Sequence, residues 1–217
     1  MPRPLRQAAS DKMAESSLRH RQKARRRARI IEAGRTLFFR QGYGATSMEA
    51  IAELAEVGIA TVYNYFGSKG RLLADILRPD FDALHQQGTG ILSKPPEDPV
   101  SGILSLVDVY WRFLKDWEKK DVLLAAIGPG LSAEPVLDEL ATDAETRVKR
   151  QFKDIISAYQ EQKIVRSSID VTDAATIIFY IFNQHFIEYI TQDDADYKQM
   201  KRKMDRQIRF IVTAIQG

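Results

Sequence analysis

The stretch from Thr46 to Phe66 limits the possible folds more than any other part of the chain. It holds two short helix-like runs, "MEAIAELA" (48–55) and "IATVYNYF" (59–66), with only "EVG" between them. A turn that short makes two helices cross steeply, so each must bury one face against the other and against a third element. A third element lies just upstream: Ile30, Ile31, Gly34, Leu37 and Phe38 repeat at helical spacing along a helix from about Arg21 to Arg40. Gly42 and Gly44 in "QGYGATS" end that helix. Thr46 and Ser47 both qualify as N-caps of the second helix, and Thr46 with Glu49 has capping-box spacing. Ala52 is small enough to let the third helix pass closely over the second, and Val57 and Val62 fill the angle. The spacing therefore predicts a helix-turn-helix, followed after "GS" (67–68) by a fourth helix from Lys69 to about Leu77.

The remaining segments also read as helical, and no alternating β-branched run bounded by turn residues occurs. The fold class expected is all-α. Gly and Pro in 78–99 suggest a linker, and Asp98-Pro99 suits the start of the next helix, about 99–118. "IGPGLSAEP" (127–135) is a second break, followed by helices over about 136–162, 170–191 and 196–216. The expected division is a disordered basic arm (1–18), a helix-turn-helix domain (19–77) and a larger helical domain (78–217).

Charge is unevenly distributed. Residues 1–29 hold ten Lys and Arg against Asp11 and Glu15, a surplus of eight, whereas the whole chain sums to +3. A basic front on a mildly acidic body suits a polyanionic partner; the alternative is a solvated helix face. With no cysteine, disulfides, thiol nucleophiles and thiolate metal sites are excluded. No long uncharged apolar run or signal peptide is present, so a cytoplasmic protein without a membrane partner is expected.

Residues 26–77 resemble the TetR family of transcriptional regulators. The resemblance is carried by an aromatic pair closing the first helix (Phe38, Phe39), by Thr46-Ser47 opening the second, and by the pattern T-x-Y-x-x-F-x-x-K at Thr61, Tyr63, Phe66 and Lys69. The chain departs from it with Glu56 where the family usually has Gly, with Gly58 as the recognition-helix cap, with Gly70 after Lys69, and with Gly34. The resemblance implies an N-terminal helix-turn-helix DNA-binding domain and a C-terminal helical bundle for ligand binding and dimerisation. It implies Phe66 as core, and Tyr63 and Lys69 as phosphate contacts. Thr61 reaches a phosphate or a base, and Thr46 and Ser47 offer hydroxyls to the backbone. Asn64 and Tyr65 face outward, where Asn suits adenine and a tyrosine ring a thymine methyl, while Ala60 offers apolar contact. The alternative for Tyr63 and Tyr65 is ordinary packing.

The partners so implied are double-stranded DNA with a palindromic operator, a small and largely apolar effector, and a second copy of the chain; the function is that of a ligand-modulated repressor. Candidate effector contacts are Trp111, Phe113, Trp117, Phe152, Tyr159, Phe182, His185 and Tyr189, each of which could equally be core. Candidate dimer contacts are Phe186, Ile208, Ile211 and Ile215 on the last two helices, whose other reading is completion of the monomer core. No metal and no cofactor is expected. A helical enzyme using His185 with Glu188 or Asp108 is disfavoured, because no metal cluster, phosphate-cradling loop or nucleophile-base-acid set is present. A non-specific DNA binder driven by the arm is the remaining alternative.

Overall fold

The computed structural model describes residues 5–115, 120–127 and 134–217, with side chains omitted for 5–15 and 115. The described residues form helices α1 (Leu5–Gln41), α2 (Met48–Leu54), α3 (Ile59–Phe66), α4 (Lys69–Ser93), α5 (Pro99–Lys115), α6 (Lys120–Ile127), α7 (Pro135–Glu161), α8 (Val171–Thr191) and α9 (Tyr197–Ile215). The all-α expectation and the helix-turn-helix placement agree with this order.

The first four helices pack around Ile30 and Phe38 of α1, Ile51 and Ala52 of α2, Val62 and Phe66 of α3, and Leu72, Leu73, Ile76 and Leu77 of α4, all buried. Gly34 belongs to this core by necessity. A Cβ there would lie 3.0 Å from Ile76 Cδ1 and 3.1 Å from Leu72 Cδ2, so α1 and α4 approach closely. Over these residues α5, α7, α8 and α9 build a second layer, with Trp111, Phe152, Ile155, Ile156, Tyr159, Ile178 and Met204 buried.

Three expectations need correction. α1 begins at Leu5 rather than Arg21, so residues 5–18 continue the helix instead of forming an irregular arm. No Gly or Pro occurs between Leu5 and Gly34, and most residues there are good helix formers. α4 does not stop near Leu77 but runs to Ser93, and the expected domain boundary falls inside it. Pro79 forgoes a hydrogen bond and crowds the carbonyl of Asp75, but it sits on the exposed side of the helix, which continues through it. Gly88 reflects close packing, because a Cβ there would come within 2.2 Å of Gln151 Oε1 on α7. The third correction is α6, which spans residues where the spacing predicts no separate element.

Glu56, in the α2–α3 turn, adopts φ of 53°. This left-handed conformation costs an L residue about 1–2 kcal/mol. Its carboxylate lies 3.5 Å from Arg29 Nη1, an exposed pair that returns little. Glu56→Gly is therefore expected to stabilise the chain by about 1 kcal/mol in urea unfolding, the relief of strain exceeding the added freedom of the unfolded chain. A fall in stability would show that the Arg29 pairing outweighs the strain.

Candidate nucleic-acid interface and interior cavity

α3 is two-sided. Val62 and Phe66 point inward, whereas Ile59, Ala60, Tyr63 and Asn64 are exposed, Tyr63 to 46%. Thr61 and Tyr65 are half-buried at the edges. The Tyr65 hydroxyl donates to Lys23 O at 3.2 Å, tying α3 to α1, so Tyr65 presents its ring rather than its hydroxyl to the outside. Gly58 caps α3 without a side-chain bond; its carbonyl accepts from Thr61 N at 2.8 Å, so of the first-turn N–H groups those of Ile59 and Ala60 are open to an outside acceptor.

Of the two candidate caps of α2, Ser47 takes the position, with Oγ accepting from Ala50 N at 3.1 Å while the residue stays exposed. Thr46 is buried, with 2% exposure, and its hydroxyl donates to Gly42 O at 2.6 Å. It holds the turn and cannot offer that hydroxyl to a nucleic acid; the Thr46–Glu49 box is not formed. Lys69 is also turned inward. Its Nζ donates to Tyr43 O at 2.9 Å and Thr46 O at 3.0 Å, and sits 4.3 Å from the centre of the Tyr43 ring. Two of its three N–H bonds are thus engaged in fixing the start of α2.

Sequence reasoning missed the bonds that join this unit to the larger domain. Glu134, at the start of α7, accepts from the Tyr43 hydroxyl at 3.0 Å, from Gly70 N at 2.8 Å and from the Ser68 hydroxyl. Asp121 on α6 accepts from Tyr43 N at 2.8 Å. Burial, followed by the charge and hydrogen bond of Glu134, raises the Tyr43 phenol above its usual pKa. No periodicity marks Glu134, so only the Tyr43 between two glycines could have drawn attention to this junction.

A cavity of about 400 Å³ opens between α4, α5, α7 and α8, with Ile127 of α6 in its wall. Phe81, Tyr110, Phe113, Phe179, Phe182 and Phe186 make it largely aromatic, and His85, Thr142 and Asn183 add polar atoms. Asp138, Asp143, Glu145 and Arg147 also line it. Arg147 donates to Asp82 at 2.7 Å and pairs with Asp143 at 3.0 Å, and the Asp82 hydrogen bond, aided by Asp143, holds its guanidinium above the usual value. His85 Nδ1 is buried without a partner.

Two of the eight candidate effector contacts, Phe113 and Phe182, line this cavity. Trp117 lies outside the described residues. Trp111 is fully buried between Tyr189 and Tyr197, at centroid distances of 5.8 and 5.5 Å. Phe152 is core, and Tyr159 donates its hydroxyl to Pro96 O at 2.7 Å. His185 ties α8 to α9 through Gln207 Oε1 at 2.8 Å.

The dimer candidates shift as well. Phe186 lines the cavity, while Ile208 and Ile215 are buried within the chain and Ile211 is half-buried. The apolar residues that α8 and α9 expose are Ile177 (48%), Tyr180 (58%) and Phe210 (73%). At roughly 100° per residue, each lies on its helix opposite the buried stripe.

Residues 30–76 match the family model described as bacterial regulatory proteins, tetR family, a span that contains α2, α3 and the start of α4. The transcriptional repressor KstR of Rhodococcus jostii is 29% identical over 136 residues, 63% of this chain and 55% of that protein. The chain belongs to the TetR family of bacterial transcriptional regulators. The repressor NicS of Pseudomonas putida is 27% identical over 194 residues, 86% of this chain and 90% of that one. The match spans only about half the length of the R. jostii KstR (55%), and 35% of KstR from Mycolicibacterium smegmatis, although identity to the latter is 38% over 72 residues. Among solved structures, a TetR-family regulator from Mesorhizobium loti superposes with a TM-score of 0.69 at 21% identity, covering 90% of this chain and 98% of that one. Thermus thermophilus FadR, solved with lauroyl-CoA, gives 0.66 at 21%, covering 86% and 93%. Among the described residues no helix is long and apolar enough to cross a membrane.

Proposed function

We propose that the chain is a cytoplasmic, dimeric repressor that binds a palindromic DNA operator and is modulated by a small, largely apolar effector in the α4–α5–α7–α8 cavity. The observation that carries this reading is α3, an eight-residue helix anchored by Val62 and Phe66 while Ala60, Tyr63 and Asn64 stand outward. Two such helices related by a two-fold axis meet successive major-groove faces, about 34–36 Å apart. Asn64 is the residue best suited to read a base, Tyr63 to reach a phosphate or sugar, and Ser47 to meet the backbone at the start of α2.

The cavity supports the effector half of the proposal. Its walls are aromatic, and Arg147, the one Lys or Arg among its described lining residues, already sits between two carboxylates. An anionic head group would find no unpaired cation there, so an uncharged or cationic apolar molecule fits better than a carboxylate or a CoA thioester. His85 Nδ1 is the group available to orient it. The effector reaches the DNA-binding unit through α6 and the start of α7. This segment supplies Ile127, Asp138 and Ala141 to the cavity wall, and Asp121 and Glu134 to the bonds with Tyr43, Ser68 and Gly70.

Selection from a pool of random duplexes with the purified protein tests the reading. A two-fold symmetric consensus is expected. On that consensus, Asn64→Ala should cost about 1–3 kcal/mol, with little change on random duplex. Equal weakening on both would reassign Asn64 to the DNA backbone, and an asymmetric or absent consensus would sink the operator proposal.

A further inference from the structure

The N-terminal half of α1 carries more charge than the fold uses. Arg19, Arg21, Lys23, Arg25, Arg26, Arg27 and Arg29 fall within eleven residues, and no acidic residue occurs between Glu15 and Glu32. Residues 16–29 are all exposed. Two of the cations serve the structure: Arg27 pairs with Asp75 at 2.6 Å and lies 5.5 Å from the Phe66 ring centre, and Arg29 faces Glu56. Arg21, Lys23, Arg25 and Arg26 have no carboxylate partner among the described residues. Like charges spaced four apart, such as Arg21 with Arg25, each destabilise a helix by about 0.2–0.5 kcal/mol. The run therefore costs helix stability and leaves these four cations without an ionic role in the fold.

The position of this segment identifies the partner. Tyr65 on the recognition helix donates to Lys23 O, and Arg27 packs on Phe66 at the end of the same helix. From Lys23 towards the N-terminus α1 continues for eighteen residues, about 27 Å at 1.5 Å each, beyond its contact with α3. A membrane surface would call for an apolar face alongside the basic one, and residues 16–29 contain a single large apolar side chain, Leu18.

We propose that residues 16–29 are a second DNA-contacting element, a basic helix that follows the phosphate backbone flanking the bases read by α3. The inference rests on the assignment of α3 as the recognition helix. It adds a part the helix-turn-helix lacks: a sequence-independent, salt-sensitive contact that lengthens the bound DNA segment at both outer ends.

The test compares the full chain with the variant Arg21→Gln, Lys23→Gln, Arg25→Gln, Arg26→Gln, which retains helix formers and leaves the Arg27 and Arg29 pairs intact. Circular dichroism establishes that the variant is folded. Binding is measured on a selected duplex across a salt series, with hydroxyl-radical footprints. Removing one cation that neutralises a phosphate lowers the slope of log K against log[salt] by about 0.9, so up to about 7 for two protomers. The expected result is a slope reduced by at least about 2, a footprint shortened at both ends, and an unchanged preference for the selected over a random duplex. An unchanged slope and footprint, with wild-type binding intact, overturns this inference alone. A variant that loses binding to phosphatidylserine vesicles while keeping the wild-type DNA slope would assign the helix to membranes and also overturn it. If the wild-type chain selects no duplex, the assignment of α3 fails, and the inference with it.

Discussion

Phe210→Glu is expected to convert the protein into a folded monomer and to weaken operator binding by about 10²- to 10⁴-fold. Phe210 is 73% exposed on the face of α9 opposite its buried stripe, and its neighbours on that face include Lys203, Arg206 and Gln207. A phenyl ring so placed contributes little to the packing of its own chain. Ile177 and Tyr180 are exposed in the same way on α8, and an interface with a second copy through these outward faces would, about a two-fold axis, bring the same residues of both copies together. A carboxylate there would meet its symmetry mate or apolar side chains in the interface, at the cost of burying a charge. The weaker affinity follows from linkage. In a dimer the second recognition helix binds at the high effective concentration set by the first, and a monomer forgoes that gain without any change in the groups it presents to DNA. Sedimentation and duplex binding measure the two effects. The buried Ile208 provides the contrast, since Ile208→Glu should unfold the chain instead. A Phe210→Glu protein that remains dimeric would exclude this face as the interface.

The difference between Phe210 and Ile208 shows how far the sequence could be read. Helical spacing identified α9 and its apolar stripe, but a stripe says only that a face is buried, not whether its own chain or a partner buries it. Met200, Met204, Ile208 and Ile215 follow the spacing and are buried within the chain. The residue that breaks the pattern, Phe210, is the one left outside. The aromatic residues of the larger domain raise the same ambiguity. Trp111, Tyr159 and Phe182 look alike at helical spacing, yet only Phe182 among them reaches the cavity. The cavity depends on how four helices pack over long sequence separations, to which local pattern is blind.

The helix-turn-helix was more legible because short-range rules govern it. Cap, turn and inward apolar residues all lie close together along the chain, and Val62 and Phe66 are buried as their spacing requires. Even here the polar groups were harder to place. A threonine and a lysine near a helix start read naturally as outward groups. Thr46 and Lys69 instead satisfy carbonyls of the 42–46 turn, a demand that arises only once the backbone has folded. Gly88 carried the opposite error: in sequence it signals a break, and in the fold it admits Gln151.

Glu134→Ala is expected to uncouple effector from DNA. Gly70 lies in the first turn of α4, where its N–H has no partner within the helix. Ser68 caps the neighbouring Arg71 N at 3.1 Å, and Glu134 accepts from Gly70 N at 2.8 Å, so a residue at the start of α7 completes the N-terminus of α4. The same carboxylate accepts from Tyr43, which precedes α2. The variant removes these bonds together. It leaves the Gly70 amide and the Tyr43 hydroxyl without that partner, at about 1–3 kcal/mol of stability for bonds to a charged group. Hydrogen exchange should therefore rise sharply at Gly70 while α8 and α9 remain protected. The Tyr43 phenol should also titrate at lower pH than in the parent, because the Glu134 charge that helps to raise it is gone. With an effector in hand, its shift of operator affinity should fall from the roughly 5- to 150-fold usual for such couplings towards unity, since binding in the cavity would no longer move the segment that holds α4. Faster exchange at Gly70 with the effector response intact would locate the coupling elsewhere, with Asp121 as the remaining bond to Tyr43. Unchanged exchange would mean that Glu134 does not hold the start of α4 at all.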